Sequence, residues 1–166
     1  MATIYAKASR VLVRLGEEDS QSALALETIH RAADELYAID NLDEEVGLRN
    51  ASIMALIERP WFKRVWVLQE VAAAQHVLVV CGHTEVDGYA FCAGLNSLKM
   101  IYKGRADLAG LIRSTTYLIR RIVFRPKYHI GQPGAFSLRI RSLGELVDMY
   151  HTREASDPRD KVYALL

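Results

Sequence analysis

The run RPWFKRVWVLQEVAAAQHVLVVCG, Arg59 to Gly82, changes its period part-way along, and that change decides the fold class. Pro60 suits the first turn of a helix, where its missing N–H would have had no partner. At ~100° per residue, Trp61, Val65, Leu68 and Ala72 fall on one side, with Phe62, Trp66 and Ala73 widening the arc. Lys63 and Arg64 fall away from it. A helix is therefore predicted from Pro60 to about Gln75. HVLVVCG then reads as a strand, a short run of β-branched and aliphatic residues closed by glycine.

Upstream, RVLVRL (Arg10 to Leu15) alternates as a strand does and stops at Gly16. Acidic EEDS leads into SALALETIHRAADELYAI, whose Leu24, Ile29, Ala32, Ala33 and Leu36 have helical spacing; Asp19 or Ser20 can cap it. DNLDEEVGLRN is polar and acidic, a loop or short helical turn, before a second short helix in SIMALIE. Downstream, Gly82 with HTEVDG turns the chain into a short return strand, and Asp87 caps YAFCAGLNSLKMIYK. A longer helix covers about Asp107 to Phe124, and RPKYHIGQPGAF reads as an irregular surface loop. Ser142 opens a helix through LGELVDMYH, and Asp157-Pro158 starts a last one, RDKVYALL. The fold class is α/β or α+β, a small sheet flanked by several helices, without repeats or a second domain.

The totals exclude several function classes. The 166 residues are 51% hydrophobic and 25% charged, ordinary for a soluble globular protein. With 21 Lys+Arg against 20 Asp+Glu, the balance is not that of a dedicated nucleic-acid binder. Cys81 and Cys92 are too few for a disulfide framework, so a reducing, cytoplasmic setting fits. Lys7 and Arg10 interrupt what would be the apolar region of a signal peptide, and VAAAQHVLVVC falls short of the ~20 residues that span a bilayer.

Candidate chemistry centres on Gln69 and Glu70. Gln69 projects into the apolar arc; a buried amide left bare costs roughly 1–3 kcal/mol, so it is expected to bond backbone from another segment. Glu70 lies on the border, near Trp66 one turn earlier. A half-desolvated carboxylate beside an indole suits a general acid or base, whereas the plainer reading pairs it with Lys63 or Arg64. His76, Cys81, His83 and Cys92 invite a metal, but their spacing fits no common zinc site, and a buried thiol with surface histidines accounts for them. Arg113, Arg120, Arg121, Arg125 and Lys127, with Tyr117 and Phe124, could form an anion-binding face; the solvated side of an amphipathic helix is the simpler account. No Walker loop, Gly-x-Gly-x-x-Gly, Gly-x-Ser-x-Gly or His-Glu-x-x-His occurs. In Asp157-Pro158-Arg159-Asp160, Asp157 can take the first-turn amides, Pro158 pre-sets the turn, and Asp160 meets the helix dipole.

Three blocks together resemble the heterokaryon incompatibility (HET) domain of filamentous fungi. IYAKASRVLVRLGEE resembles its IY-x-x-A-x-x-V-x-V-W-L-G block through Ile4, Tyr5, Ala8, Val11, Val13, Leu15 and Gly16, with Arg14 where the family usually has tryptophan. RPWFKRVWVLQE resembles R-x-W-x-x-R-x-W-x-x-Q-E through Trp61, Arg64, Trp66, Gln69 and Glu70, before the strand ending in Cys81-Gly82. SDPRDKVYALL resembles D-P-R-D-x-x-Y-A-L-L through Asp157, Pro158, Arg159, Asp160 and Tyr163 to Leu166. The family's earlier Ser-Tyr-x-Trp-Gly and Trp-Ile-Asp-x-x-Cys-Ile-Asn-Gln segments have no counterpart, so residues 1–166 are expected to be a partial domain lacking its N-terminal blocks.

The resemblance implies an effector of fungal nonself recognition and programmed cell death, switched by a protein partner or an attached regulatory domain, with self-association as a further possibility. No cofactor is expected, and the charge balance and short apolar runs point to no nucleic acid and no membrane segment. Kinship with Toll/interleukin-receptor (TIR) domains implies a second reading, an NAD-cleaving hydrolase with Glu70 as its acid and NAD as substrate. A third is a non-functional fragment that leaves apolar surface bare and aggregates.

Overall fold

The computed structural model describes residues 2–34, 43–98, 106–120 and 143–164. Its sheet has three strands in the order β1 (Val11–Arg14), β2 (Val77–Cys81), β3 (Thr84–Asp87). β1 and β2 run parallel, Val13 opposite Val79, and β2 and β3 antiparallel, Val79 opposite Val86. Strand identity and the tight β2–β3 turn follow the sequence expectation. In that turn Gly82 has φ +55°, a left-handed conformation, and a Cβ there would collide with Glu18. Gly82 N–H donates to the Gly16 carbonyl at 3.0 Å, tying the turn to the end of β1.

Alternation divides the sheet. Val11, Val13, Val77, Val79, Cys81 and Val86 are buried on one face. Helix α2 (Ser20–Ala33) and helix α6 (Gly88–Ser97) pack against that side of the sheet and against each other. Asp19 caps α2 through a capping box: Ser22 N–H donates to Asp19 Oδ1 at 2.7 Å, and Asp19 N–H donates to Ser22 Oγ at 2.9 Å. Asp87 caps α6, accepting from the N–H groups of Tyr89 and Ala90.

The Ser22 amide, more than its hydroxyl or Arg59, holds the Asp19 carboxyl below the ordinary carboxylate range. A carboxyl depressed in the folded state contributes stability above its unfolded pKa, and loses it as pH falls through the folded value. Asp19→Asn keeps a capping oxygen without the titration, so it should be less stable than the parent at pH 7 and converge with it in acid, its acid-unfolding curve being the shallower.

Two sequence expectations need correction. The segment from Asp43 is not a loop before a short helix: one helix, α3 (Asp43–Ile57), runs through both, and its Ile53, Leu56 and Ile57 are buried. Packing of α3 on α2 overrides the polar composition of its first turns.

The helix expected from Pro60 to Gln75 is instead two short ones, α4 (Pro60–Lys63) and α5 (Val67–Ala72). Arg64 between them is extended at φ −69°, ψ 136°, and bridges in parallel to Glu154. Val65 N–H donates to the Glu154 carbonyl at 2.9 Å, and Glu154 N–H donates to the Lys63 carbonyl at 2.7 Å. These two backbone bonds replace the intrahelical ones and reset the angular register that the ~100° rule assumes.

The remaining elements are α1 (Ala2–Lys7), which precedes β1 and packs on α5, α7 (Ala106–Arg120), α8 (Leu143–Tyr150) and α9 (Asp160–Tyr163). The sequence reading began at the strand and did not anticipate α1. α7 lies against α3, α4, α5, α6 and α8, and carries Ile112 and Ile119 into the core. Phe62 of α4 stacks near Phe91 of α6 at 6.3 Å, joining the two sides of one hydrophobic core. No helix among the described residues is long and apolar enough to cross a membrane. Leu36, Arg121, Phe124, Arg125, Lys127, Ser142 and the loop expected over 125–136 lie outside the described residues.

Candidate functional site

The break between α4 and α5 builds the site. On an unbroken helix Trp61 and Glu70, nine residues apart, would point in opposite directions at ~100° per residue. With the chain extended at Arg64, the Trp61 indole instead donates Nε1–H to Glu70 Oε2 at 3.4 Å. Arg64 reaches the other oxygen, 3.5 Å from its Nη2 to Glu70 Oε1. The Glu70 side chain is 19% exposed and its arginine partner 55%, so the pair is on the rim and contributes ~1 kcal/mol or less. The plainer sequence reading, a carboxylate paired with Arg64, is the geometry found, and Glu70 N–H also donates to the Trp66 carbonyl at 3.3 Å, one helical turn back.

Tyr5, on α1, which packs on α5, lies within electrostatic reach of the same site. Burial, and after it the Glu70 carboxylate, raise the Tyr5 phenol above its ordinary pKa, with Arg64 pulling the other way. Trp61, itself buried, meets Phe62 edge-on at 5.0 Å, which fixes the indole that holds Glu70.

Trp66 is turned to another segment. Its indole Nε1–H donates to Asp160 Oδ2 at 3.1 Å. Next to it, buried Gln69 donates from Nε2 to the Tyr163 carbonyl at 3.2 Å. A backbone acceptor from a distant segment is the partner that a buried amide in this position requires. Two side chains of α5's region thus hold both ends of α9. Asp157 does not reach the helix itself: its carboxylate takes the N–H and guanidinium of Arg159, the latter at 2.7 Å. The Arg159 side chain, then its amide, keep the Asp157 carboxyl below its ordinary pKa. Pro158 is exposed in the turn that opens α9, and its carbonyl accepts from Lys161 N–H.

Gly16, Cys81 and Gly82 gather elsewhere, around Arg59. The Arg59 guanidinium donates through Nη1 to the carbonyls of Leu15 and Glu17, each at 3.0 Å, and to Cys81 Sγ at 3.1 Å. Its Nη2 pairs with Asp19 Oδ2 at 3.0 Å. One arginine thereby joins the end of β1, the cap of α2 and the end of β2. Of the residues weighed for a metal, His76 Nε2 meets Asp87 Oδ2 at 2.9 Å and His83 lies in the β2–β3 turn, so Cys81 and His83 share no strand face. Arg113 is exposed on α7, as a solvated helix face requires.

The sequence reading gave Arg153 no role. This side chain is 1% exposed and donates to the Phe62 carbonyl, to Ser114 Oγ at 2.6 Å and to Thr115 Oγ1 at 2.9 Å. All these acceptors are neutral, and burial lowers its pKa to about 10, so it stays charged near neutrality. The available signal was the Ser114-Thr115-Thr116 run on a face of α7 otherwise carrying Ile112 and Ile119 inward.

Tyr5, Trp61, Arg64, Trp66, Gln69, Glu70, Asp160 and Tyr163 are therefore one connected assembly. The family model described as Heterokaryon incompatibility protein (HET) matches residues 1–70, which carry six of those eight side chains. Over residues 1–70 the chain is similar to the HET family. The match links the chain to heterokaryon incompatibility, and it ends at Glu70, before β2 and α9. No curated protein and no solved structure matches the chain.

Proposed function

We propose that this chain is an effector of nonself recognition in filamentous fungi, acting in the cytoplasm by assembly with a protein partner or regulatory domain to trigger incompatibility cell death. The observation that supports assembly over catalysis is the occupancy of Glu70: one carboxylate oxygen accepts from Trp61 and the other faces Arg64. A general acid or base needs an oxygen within reach of a substrate proton. Here Glu70 works as the polar knot that lets α4 and α5 fold back on each other. Trp66–Asp160 and Gln69–Tyr163 then attach α9 to that knot.

The test is inducible expression of the full chain in a filamentous fungus. Growth arrest and death are expected, with total NAD unchanged until after membranes fail. Trp66→Phe, which deletes the donor to Asp160 but keeps the packing, should weaken the response, because the α9 attachment loses a charge-assisted bond of roughly 1.5–3 kcal/mol. An early fall in NAD ahead of death would contradict assembly.

A second reading, a TIR-like hydrolase with NAD as substrate and Glu70 as its acid, draws on the aromatic surroundings. Trp61 touches the carboxylate and Tyr5 lies within its electrostatic reach, with part of the Glu70 side chain open to solvent.

A further inference from the structure

The sheet has a second face that the described helices do not cover. On it, paired residues form two rows: Leu12–Leu78–Asp87 and Arg14–Val80–Glu85. Leu12 is 61% exposed, Leu78 and Val80 are half-buried, and Arg14 and Glu85 are exposed. Sheets with parallel pairs normally have both faces covered, so an apolar centre left open on one face calls for an occupant.

The charges say which. The β1 side of this face is basic, with Arg14 and, just before the strand, exposed Arg10; the β3 side is acidic, with Glu85 and Asp87. Asp87 is held by His76. Arg14 and Glu85, in one row but separated by β2, are about 10 Å apart at the ordinary strand spacing and do not pair within the chain. We infer that this face binds a second copy of the same chain, through a twofold axis parallel to the strands and passing over β2. That rotation puts β1 of one copy above β3 of the other. Arg14 of each copy then meets Glu85 of its mate, twice, while Leu78 and Val80 meet their own symmetry equivalents across the ~10 Å that separates packed sheets. The alternative in-plane axis, perpendicular to the strands, would stack β1 on β1 and leave Arg14 with no carboxylate opposite it, so the charges choose one arrangement.

Three short strands span roughly 13 Å by 10 Å, well below a standard interface of about 800 Å² per partner. The dimer is therefore weak and forms only at high protein concentration. This surface is one concrete form of the assembly in the proposed function. Its loss would remove the dimer and leave the α4–α5 reading untouched, because none of that site's residues lies on the sheet.

Sedimentation velocity of the full chain across a concentration series tests the inference. A monomer–dimer equilibrium is expected, weakening as salt rises. Arg14→Glu and Glu85→Arg should each weaken it about tenfold or more, and the double exchange should restore it. Leu78→Asp should abolish it. Circular dichroism of each variant shows whether the exposed substitutions leave the fold intact, and the restoring double exchange cannot be mimicked by unfolding. A strict monomer, unaffected single exchanges, or a double exchange no better than the singles would each overturn the proposal.

Discussion

Gly94→Ala is expected to lower stability by about 3 kcal/mol or more, enough to drop the melting midpoint by roughly 6–12 °C. Gly94 is in the middle of α6, where that helix crosses α2. A Cβ built there would overlap the backbone carbonyl of Ile29, as well as its side chain. The obstacle is main chain in the interior of a capped helix, so relief requires the two helices to move apart. Separation would open the contact that carries Leu26, Ile29, Phe91 and Leu95, all of them buried. Gly110 in α7 is the control. It is exposed, with nothing near the position its Cβ would take, so Gly110→Ala should stabilise by up to ~1 kcal/mol through helix propensity. Thermal unfolding of the two variants beside the parent checks both signs. Equal midpoints for Gly94→Ala and the parent would mean that the α2–α6 crossing is looser than described.

Arg153→Met should cost about 3 kcal/mol, although it removes a buried charge that, among the described residues, meets only neutral acceptors. The guanidinium bonds α4 through the Phe62 carbonyl and α7 through Ser114 and Thr115 from a single point after α8. Methionine fills much of the volume and relieves the desolvation of a cation. It also leaves the Phe62 carbonyl and the Thr115 hydroxyl without this donor, while Ser114 keeps its bond to the Leu111 carbonyl, and each stranded buried group costs about 1–3 kcal/mol. The loss therefore outweighs the relief. Arg153→Lys should recover little of it, since one ammonium cannot serve acceptors on two helices as a planar fork does. Chemical denaturation gives the comparison; a methionine variant as stable as the parent would show that the network only fills space.

How legible this was depended on how local the cause was. Val11 to Arg14 and Val77 to Cys81 are strands because of their own composition, and Asp19 and Asp87 cap because of the residues that follow them. These were readable directly. The break at Arg64 was not, because its cause is ninety residues away: the backbone of Glu154 competes for the Lys63 carbonyl and the Val65 amide. Periodicity presumes an unbroken helix, and so it did not bring Trp61 to Glu70, where the folded chain has it. Gln69 escaped that error because its angular neighbours Leu68 and Ala72 lie with it in α5, downstream of the break. Arg153 was missed for a related reason. Its burial is created by α4 and α7 closing over it, and neither neighbour in sequence announces that.

The central claim is that Glu70 is a structural knot and the chain acts by assembly. Nicotinamide release from NAD, measured with purified full chain and with Glu70→Gln, tests it most directly. Glutamine keeps an oxygen for the Trp61 indole and gives up only the rim contact with Arg64, so the fold should hold within ~1 kcal/mol. The account predicts no turnover by either protein, together with unchanged killing by Glu70→Gln in the expressing fungus. Turnover by the parent that disappears in a folded Glu70→Gln variant, along with the killing, would contradict it.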